Sequence, residues 1–243
     1  MMHEPVFPPA ADGGSDVFYE TAKNNHGLPY NPFKSCVVPR PIGWVSTVSH
    51  DGIINLAPFS MFNQLNYDPP FVCFSGSNRP GTGQRKDSVT NAEETGEFVV
   101  NMATYELREK VSTTAQFVDP NVDEFELAGL SKLSSNLVRP PRVAESPIHL
   151  ECRYHSTLTL PANRRHSTHH VVIGEVVGIH IRDDVIGADG KIDIKKIRPL
   201  ARLGYMDYTS VTEVFTMQAQ GNAAGQIGEA VAREAGAKEK VTV

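Results

Sequence analysis

Residues 37–75 read VVPRPIGWVSTVSHDGIINLAPFSMFNQLNYDPPFVCFS, and their alternation decides the fold class. Val45 and Val48 flank the hydroxyls of Ser46 and Thr47. Ile53-Ile54 resume an apolar pattern after Asp51-Gly52, a dipeptide that tolerates positive φ at a two-residue turn. Two antiparallel strands joined by that turn are predicted. The following segment, Asn55 to Asn63, carries Pro58, which has no N–H to give a ladder. It therefore belongs at a sheet edge or a bulge, where neighbouring backbone amides stay free for a ligand.

Outward from this stretch the chain is strand-dominated. Segments 36–48, 53–56, 59–65, 70–75, 97–102, 148–160, 168–182 and 192–197 are rich in β-branched or aromatic residues and predict antiparallel sheet. With so few helices, a closed or partly closed barrel is the expected architecture, because closure removes exposed edges. A helix capped by Asp87 or Ser88 should run through Glu94 and end at Gly96. Another, capped by Thr104, should reach about Thr114, and a turn or two should form at Asp123 to Leu127 before Gly129. Residues 1–33, rich in Pro, Gly, Asp and Asn, read as an N-terminal arm suited to wrapping a partner subunit. Residues 34–215 read as the domain and 216–243 as a small-residue-rich tail. Asp189-Gly190 reads as a hairpin turn, its neighbouring acids having the wrong spacing for a calcium loop.

Composition excludes several classes. The 243 residues carry 23 Lys and Arg against 28 Asp and Glu, a net charge of -5, which argues against a nucleic-acid binder. No basic start precedes an apolar run and no segment approaches about 18 consecutive apolar residues, so no membrane association and a cytoplasmic location are expected. Cys36, Cys73 and Cys152 are scattered singly and read as free thiols. His166, His169 and His170 cannot share one face of a strand, so no metal site is expected. Neither a phosphate-binding Gly-rich loop with Lys-Ser/Thr, nor a dinucleotide fingerprint, nor a Gly-x-Ser-x-Gly elbow occurs.

Two clusters remain as chemistry. Lys86-Asp87-Ser88 at a helix start offers a cation, free N–H groups and the positive end of a helix dipole, a combination suited to phosphate. Ser46 and Thr47 place two hydroxyls at a strand end, and Trp44, the only tryptophan, has an indole N–H that needs a partner when buried. On these residues alone, surface hydroxyls, an ordinary cap and a core aromatic stand beside the functional readings.

RPIGWVST at 40–47, NLAPFSMFN at 55–63, DPP at 68–70, KDSVTN at 86–91, TGEFVVN at 95–101 and HHVVIGEVV at 169–177 stand in one order along the chain. The sequence thereby resembles the flavin reductase-like proteins with an FMN-binding split barrel, particularly their flavoredoxin-like branch, over roughly Lys34 to Phe215. The resemblance implies a mostly β, antiparallel, Greek-key-like split barrel with a few short helices. It implies a homodimer with FMN, or FAD, near the subunit interface, the lack of an adenine site favouring FMN. Ser46 and Thr47 are implied to meet ribityl or phosphate oxygens, Lys86, Asp87 and Ser88 the flavin phosphate, and Trp44 the flavin itself. Backbone amides around Ala57, Pro58 and Phe59 should face the ring edge, with Ser60 and Asn63 adding side-chain contacts; Asn55 and Phe62 complete the binding set. His169 and His170 are both candidates for the histidine near the nicotinamide, and strand alternation lets only one point inward.

The activity implied is hydride transfer from NADH or NADPH to flavin, with electrons passed to free flavin, oxygen, iron, a monooxygenase or another acceptor protein. The rivals are an electron-transfer flavoprotein without efficient NAD(P)H oxidation, a pyridoxamine phosphate oxidase-like binder, and a scaffold without flavin. The polar run Arg164 to Thr168 stands where many of these reductases carry Gly-Asp/Glu before the histidine.

Overall fold

A computed structural model describes residues 16–163 and 168–217. The start of the expected arm, nearly all of the Arg164 to Thr168 run with His166, and all but the first two residues of the expected tail lie outside the described residues. Twelve strands are assigned among the described residues: β1 (Arg40–Pro41), β2 (Gly43–Val48), β3 (Ile54–Phe59), β4 (Phe62–Tyr67), β5 (Pro70–Ser77), β6 (Glu97–Met102), β7 (Lys132–Leu133), β8 (Arg142–Val143), β9 (Ile148–Leu160), β10 (His169–Ile181), β11 (Leu200–Gly204) and β12 (Asp207–Ser210). Seven form one antiparallel sheet in the order β3-β2-β6-β9-β10-β5-β4; β1, β11 and β12 form a second sheet, and β7 pairs with β8.

β3 and β4 stand at opposite ends of the large sheet, yet only Ser60 and Met61 separate them in sequence, so the sheet must roll until its edges meet. The Ser75 N–H donating to Met61 O at 2.8 Å and the Phe59 and Phe74 ring centroids 4.8 Å apart mark the closure. The mostly β, antiparallel barrel of the sequence reading is therefore the observed fold.

Strand alternation fills the barrel. Val45, Phe59, Val72, Phe74, Phe98, Val100, Cys152, Val172 and Val176 meet inside, joined by Val89 and Ala92 of α1 (Asp87–Thr95). A second cluster joins Trp44, Leu56 and Val143 to Val111 of α2 (Arg108–Thr113) and to Phe125 and Ala128 of α3 (Glu124–Ala128). Because both faces of β2 are covered, its first five residues are all buried instead of alternating. Each large apolar side chain so buried contributes on the order of 2 kcal/mol. Gly174 is the one position where β10 passes the Phe98 ring: an added Cβ would lie 2.4 Å from that ring and 3.0 Å from Arg153 O.

Several local expectations need correction. The hairpin between β2 and β3 does not turn on Asp51-Gly52 alone; it turns over Ser49–Gly52, with Gly52 N–H donating to Ser49 O at 3.1 Å and Gly52 at φ 84° closing the turn. Asp189-Gly190 is indeed part of a hairpin turn and repeats this arrangement, Gly190 N–H donating to Gly187 O at 2.9 Å. Residues 192–197 are not a strand: Asp193 accepts the Lys196 N–H at 3.0 Å and caps α4 (Ile194–Ile197), whose isoleucines recur at helical spacing. The strands that follow, β11 and β12, are short and were not anticipated. α1 starts from Lys86 with no side-chain cap, because the Ser88 hydroxyl is turned to Asn55. α2 begins only at Arg108, since Thr104 is bridged to Pro199 instead of capping it.

Candidate functional site

Proline at position 58 keeps β3 at the sheet edge, and α1 and the chain after α2 come up against that edge. Between them lies a cleft lined by Asn55, Ala57, Pro58, Arg79, Lys86, Asp87, the stretch 114–118 and Glu124. Its enclosed part is about 40 Å³, room for a small polar group.

Lys86 is the cation of this cleft. Its stem crosses Gly76, where an added Cβ would lie 3.4 Å from Lys86 Cδ and 3.1 Å from Phe59 Cε1, so a residue without a side chain is needed for the passage. Lys86 Nζ stands 5.2 Å from the centre of the Phe59 ring and 5.5 Å from that of Phe117. No carboxylate pairs with it among the described residues: the neighbouring Asp87 is taken by Arg79, which also donates to Val118 O at 2.8 Å. Burial, with the Arg79 charge beside it, holds the Lys86 ammonium below its ordinary pKa. The Asp87 and Ser88 N–H groups at the start of α1 have no acceptor among the described residues, as expected of a helix N-terminus. A half-buried cation without a counter-ion and two open N–H groups make the upper end of the cleft receptive to an anion.

The opposite wall is a buried network. Glu124, 4% exposed, accepts from Asn55 Nδ2 at 2.8 Å and from the Leu56 N–H at 2.9 Å. Burial raises the pKa of its carboxyl, against the lowering effect of those two donors. Asn55 Oδ1 in turn accepts from Ser88 Oγ at 2.7 Å, and Thr47 Oγ1 accepts from Asn91 Nδ2 at 3.1 Å. Thus α3, β3, β2 and α1 are tied together beneath the cleft.

The sequence candidates divide accordingly. Asn55, Ala57, Pro58, Lys86 and Asp87 line the cleft. Phe59 lies under Lys86, and Thr47 and Ser88 stand in the supporting network. Trp44 is fully buried, its indole N–H donating to Thr114 Oγ1 at 2.9 Å, and Ser46 Oγ donates to Pro141 O at 2.6 Å. None of Trp44, Ser46 and Thr47 lines the cleft. Ser60 connects β3 to β4, Phe62 packs over Gly43, and Asn63 is exposed on β4 opposite Cys73. Arg79, the 114–118 stretch and Glu124 were not singled out in the sequence. Their only sequence signal was the helix start at Asp123-Glu124, and burial of one acid of such a pair cannot be seen from spacing.

The two histidines face opposite sides of β10. His170 is buried, with Nε2 3.0 Å from Asn78 Oδ1 and Nδ1 3.2 Å from Arg85 Nη2 and 3.3 Å from Thr159 Oγ1. His169 is partly exposed and has one contact, Nδ1 to Ser75 Oγ at 3.3 Å. Burial lowers the pKa of both; the Lys86 charge adds to this at His169 and the Arg85 charge at His170.

Comparison with known proteins places the fold. The flavin reductase like domain matches residues 35–206. An uncharacterised protein of Aquifex aeolicus is 42% identical over 168 residues, 69% of this chain and 82% of that protein. Nitrilotriacetate monooxygenase component B from Bacillus cereus superposes with a TM-score of 0.76 at 28% identity, covering 84% of this chain and all of that one. Flavoredoxin of Desulfovibrio vulgaris (Miyazaki F), with a TM-score of 0.61 at 20% identity over 78% of this chain and 94% of that one, shares the fold. With the domain match running over residues 35–206 and the rolled seven-stranded sheet shared with those structures, this chain belongs to the flavin reductase-like family.

Proposed function

We propose that the chain binds FMN at the β3 edge and catalyses hydride transfer from NADH or NADPH to the flavin, handing the electrons to an acceptor. Lys86 is the observation that carries this reading. It is a half-buried ammonium with no carboxylate partner among the described residues, beside two open N–H groups of α1. A terminal phosphate fits the charge, the donors and the 40 Å³ of enclosed space. The space is too small for a ring system, so the isoalloxazine belongs along the open edge of β3, near Ala57 and Pro58. Bound flavin supplies the hydride-accepting chemistry. The residues bind and orient: Lys86 and Arg79 hold the anion, the network from Glu124 through Asn55 to Ser88 fixes the edge, and His169 stands on β10 within reach of the Lys86 charge.

A homodimer follows in the same reading. Leu65 and Tyr67 of β4 and, with β5 and β10 between them in the sheet, Leu158 and Leu160 of β9 are between 42% and 85% exposed, apolar side chains of the kind a second copy would cover. Phe18 and Phe33 in the described flank of the arm are exposed as well. The Bacillus cereus neighbour is named as a monooxygenase component, and an acceptor protein of that kind is the partner proposed here.

The test is anaerobic mixing of FMN-loaded protein with NADH and, separately, NADPH while the flavin absorption is followed. Rapid bleaching by one donor establishes the reductase. Colour that persists with both donors but is lost with dithionite rejects the hydride step and leaves an electron carrier, and a protein that takes up no FMN rejects the whole reading.

A further inference from the structure

A second cavity, of about 260 Å³, opens between α2 and the strands β11 and β12 and shares no lining residue with the cleft. Its base is apolar: Val111 and Leu200 are 3% and 6% exposed. Tyr105 and Tyr208 stand at its sides, with Ser112, Thr209 and Ser210 around them. The guanidinium groups of Arg108 and Arg198 lie 4.2 and 4.0 Å from the centre of the Tyr105 ring. Arg202 stacks on Tyr208 at 4.3 Å.

Arg198 is paired with Glu106 at 3.2 Å, and Arg108 Nε lies 3.5 Å from a Glu109 carboxylate that is mostly exposed. Arg202 bonds to the Tyr208 hydroxyl and to Tyr205 O and has no carboxylate partner among the described residues. Arg108 Nη1 donates to Tyr105 O at 2.9 Å, while its Nη2 makes no hydrogen bond among the described residues. The Arg108 guanidinium, held at the Tyr105 ring and by Tyr105 O, is already placed, so a carboxylate on its remaining Nη2 orders little more of the side chain.

We propose that this cavity binds a small planar aromatic anion, its ring over Val111 and Leu200 between the two tyrosines and its carboxylate on Arg108. The apolar base accepts a ring, the volume is near the lower end of small-molecule sites, and Arg108 selects the charge. The site is independent of the flavin cleft.

Calorimetric titration of the full chain with benzoate and with benzyl alcohol, each with and without saturating FMN, tests the site. Saturable benzoate binding is expected, with benzyl alcohol at least about tenfold weaker and FMN without effect, because the charge carries the discrimination. Arg108→Gln should weaken benzoate by a similar factor. Ser112→Trp, at an exposed position of the lining, should abolish binding while circular dichroism and flavin uptake stay unchanged. Equal affinity for the alcohol, an unaltered Arg108→Gln protein, or competition by FMN would each overturn the proposal. So would the absence of saturable binding, including the case in which Ser112→Trp changes only the oligomeric state, which would assign the cavity to a second copy of the chain.

Discussion

Asn55 donates from Nδ2 to Glu124 Oε1 at 2.8 Å across 69 residues of sequence, and the same carboxylate receives the Leu56 N–H through Oε2. This one acid ties the edge strand β3 to α3. Glu124→Ala should leave two buried donors without an acceptor and lower the unfolding free energy by about 3 kcal/mol, at roughly 1 to 3 kcal/mol for each donor stranded. Glu124→Gln, which keeps one acceptor oxygen, should lose less. Urea unfolding of both variants decides it; an alanine variant within about 0.5 kcal/mol of the parent, the range of ordinary surface changes, would show that the bond does not hold the strand.

Lys86→Ala should weaken FMN by about 1 to 3 kcal/mol, the usual contribution of a hydrogen bond to a charged group. Riboflavin, which has no phosphate, should lose nothing comparable. Fluorescence titration with both flavins separates the outcomes. Equal losses would place Lys86 against the ring, and no loss with either would remove it from the site.

The barrel was legible because its determinants are local. Alternation, Pro58 at an edge, and the glycines ending α1 and α3 can each be read from a few residues, and Gly96 and Gly129 do sit at positive φ. The candidate cleft was legible only in its two local segments: Asn55, Ala57 and Pro58, then Lys86 and Asp87. Its far wall was not, because Glu124 and Thr114 reach the cleft only after α2 and α3 fold back over β2 and β3. A buried carboxylate looks in sequence like any first-turn acid. Trp44 shows the same limit from the other side. Its indole turns to Thr114, because β2 is covered on both faces, and its motif neighbours Ser46 and Thr47 are likewise spent on Pro141 O and Asn91.

β10 can pass the core only where it has no side chain. Gly174→Ala should force Cβ against the Phe98 ring, 2.4 Å away as the structure stands, and into contact with Arg153 O. Overpacking of this kind costs about 1 to 3 kcal/mol, and the backbone carbonyl cannot move as a rotamer would. A chemical melt of the variant checks this; stability equal to the parent would mean that the bulges of β10 absorb the methyl group.

Acid should destabilise the protein through His149. It is 4% exposed, Nε2 lies 2.8 Å from Val143 O, and Nδ1 has no partner among the described residues. Burial, with Arg142, His180 and Arg182 nearby, holds its pKa down at about 4. The unfolded chain therefore binds the proton first, so stability is complete above pH 6.5 and falls as pH drops to about 4, by on the order of 3 kcal/mol. Glu151, lowered by its N–H donors and His180 against the effect of burial, adds a loss of the same sign further into acid. Glu124, raised by burial, opposes both, since protonation favours its folded form. Unfolding curves between pH 7 and 4 should show the loss, and His149→Gln should flatten it; an unchanged slope in that variant would reassign the dependence.

The two histidines should separate stability from chemistry. Arg85 can only donate, so His170 Nδ1 accepts and Nε2 carries the proton to Asn78 Oδ1, which fixes one neutral tautomer inside the barrel. Removing that ring strands Asn78 and the arginine edge, so His170→Ala should lower stability by about 1 to 2 kcal/mol with flavin reduction little changed. His169, partly exposed and held only by Ser75, has little to lose in stability. His169→Ala should instead slow reduction by NAD(P)H about 10-fold to 100-fold while leaving FMN affinity and the melting curve in place, within the range of a positioned acid, base or donor group. Stopped-flow reduction and thermal melts of both variants give the four numbers needed. If both proteins are reduced at the parent rate, neither histidine serves the reaction; if His170→Ala alone is slow and stable, the inward-facing ring is the functional one.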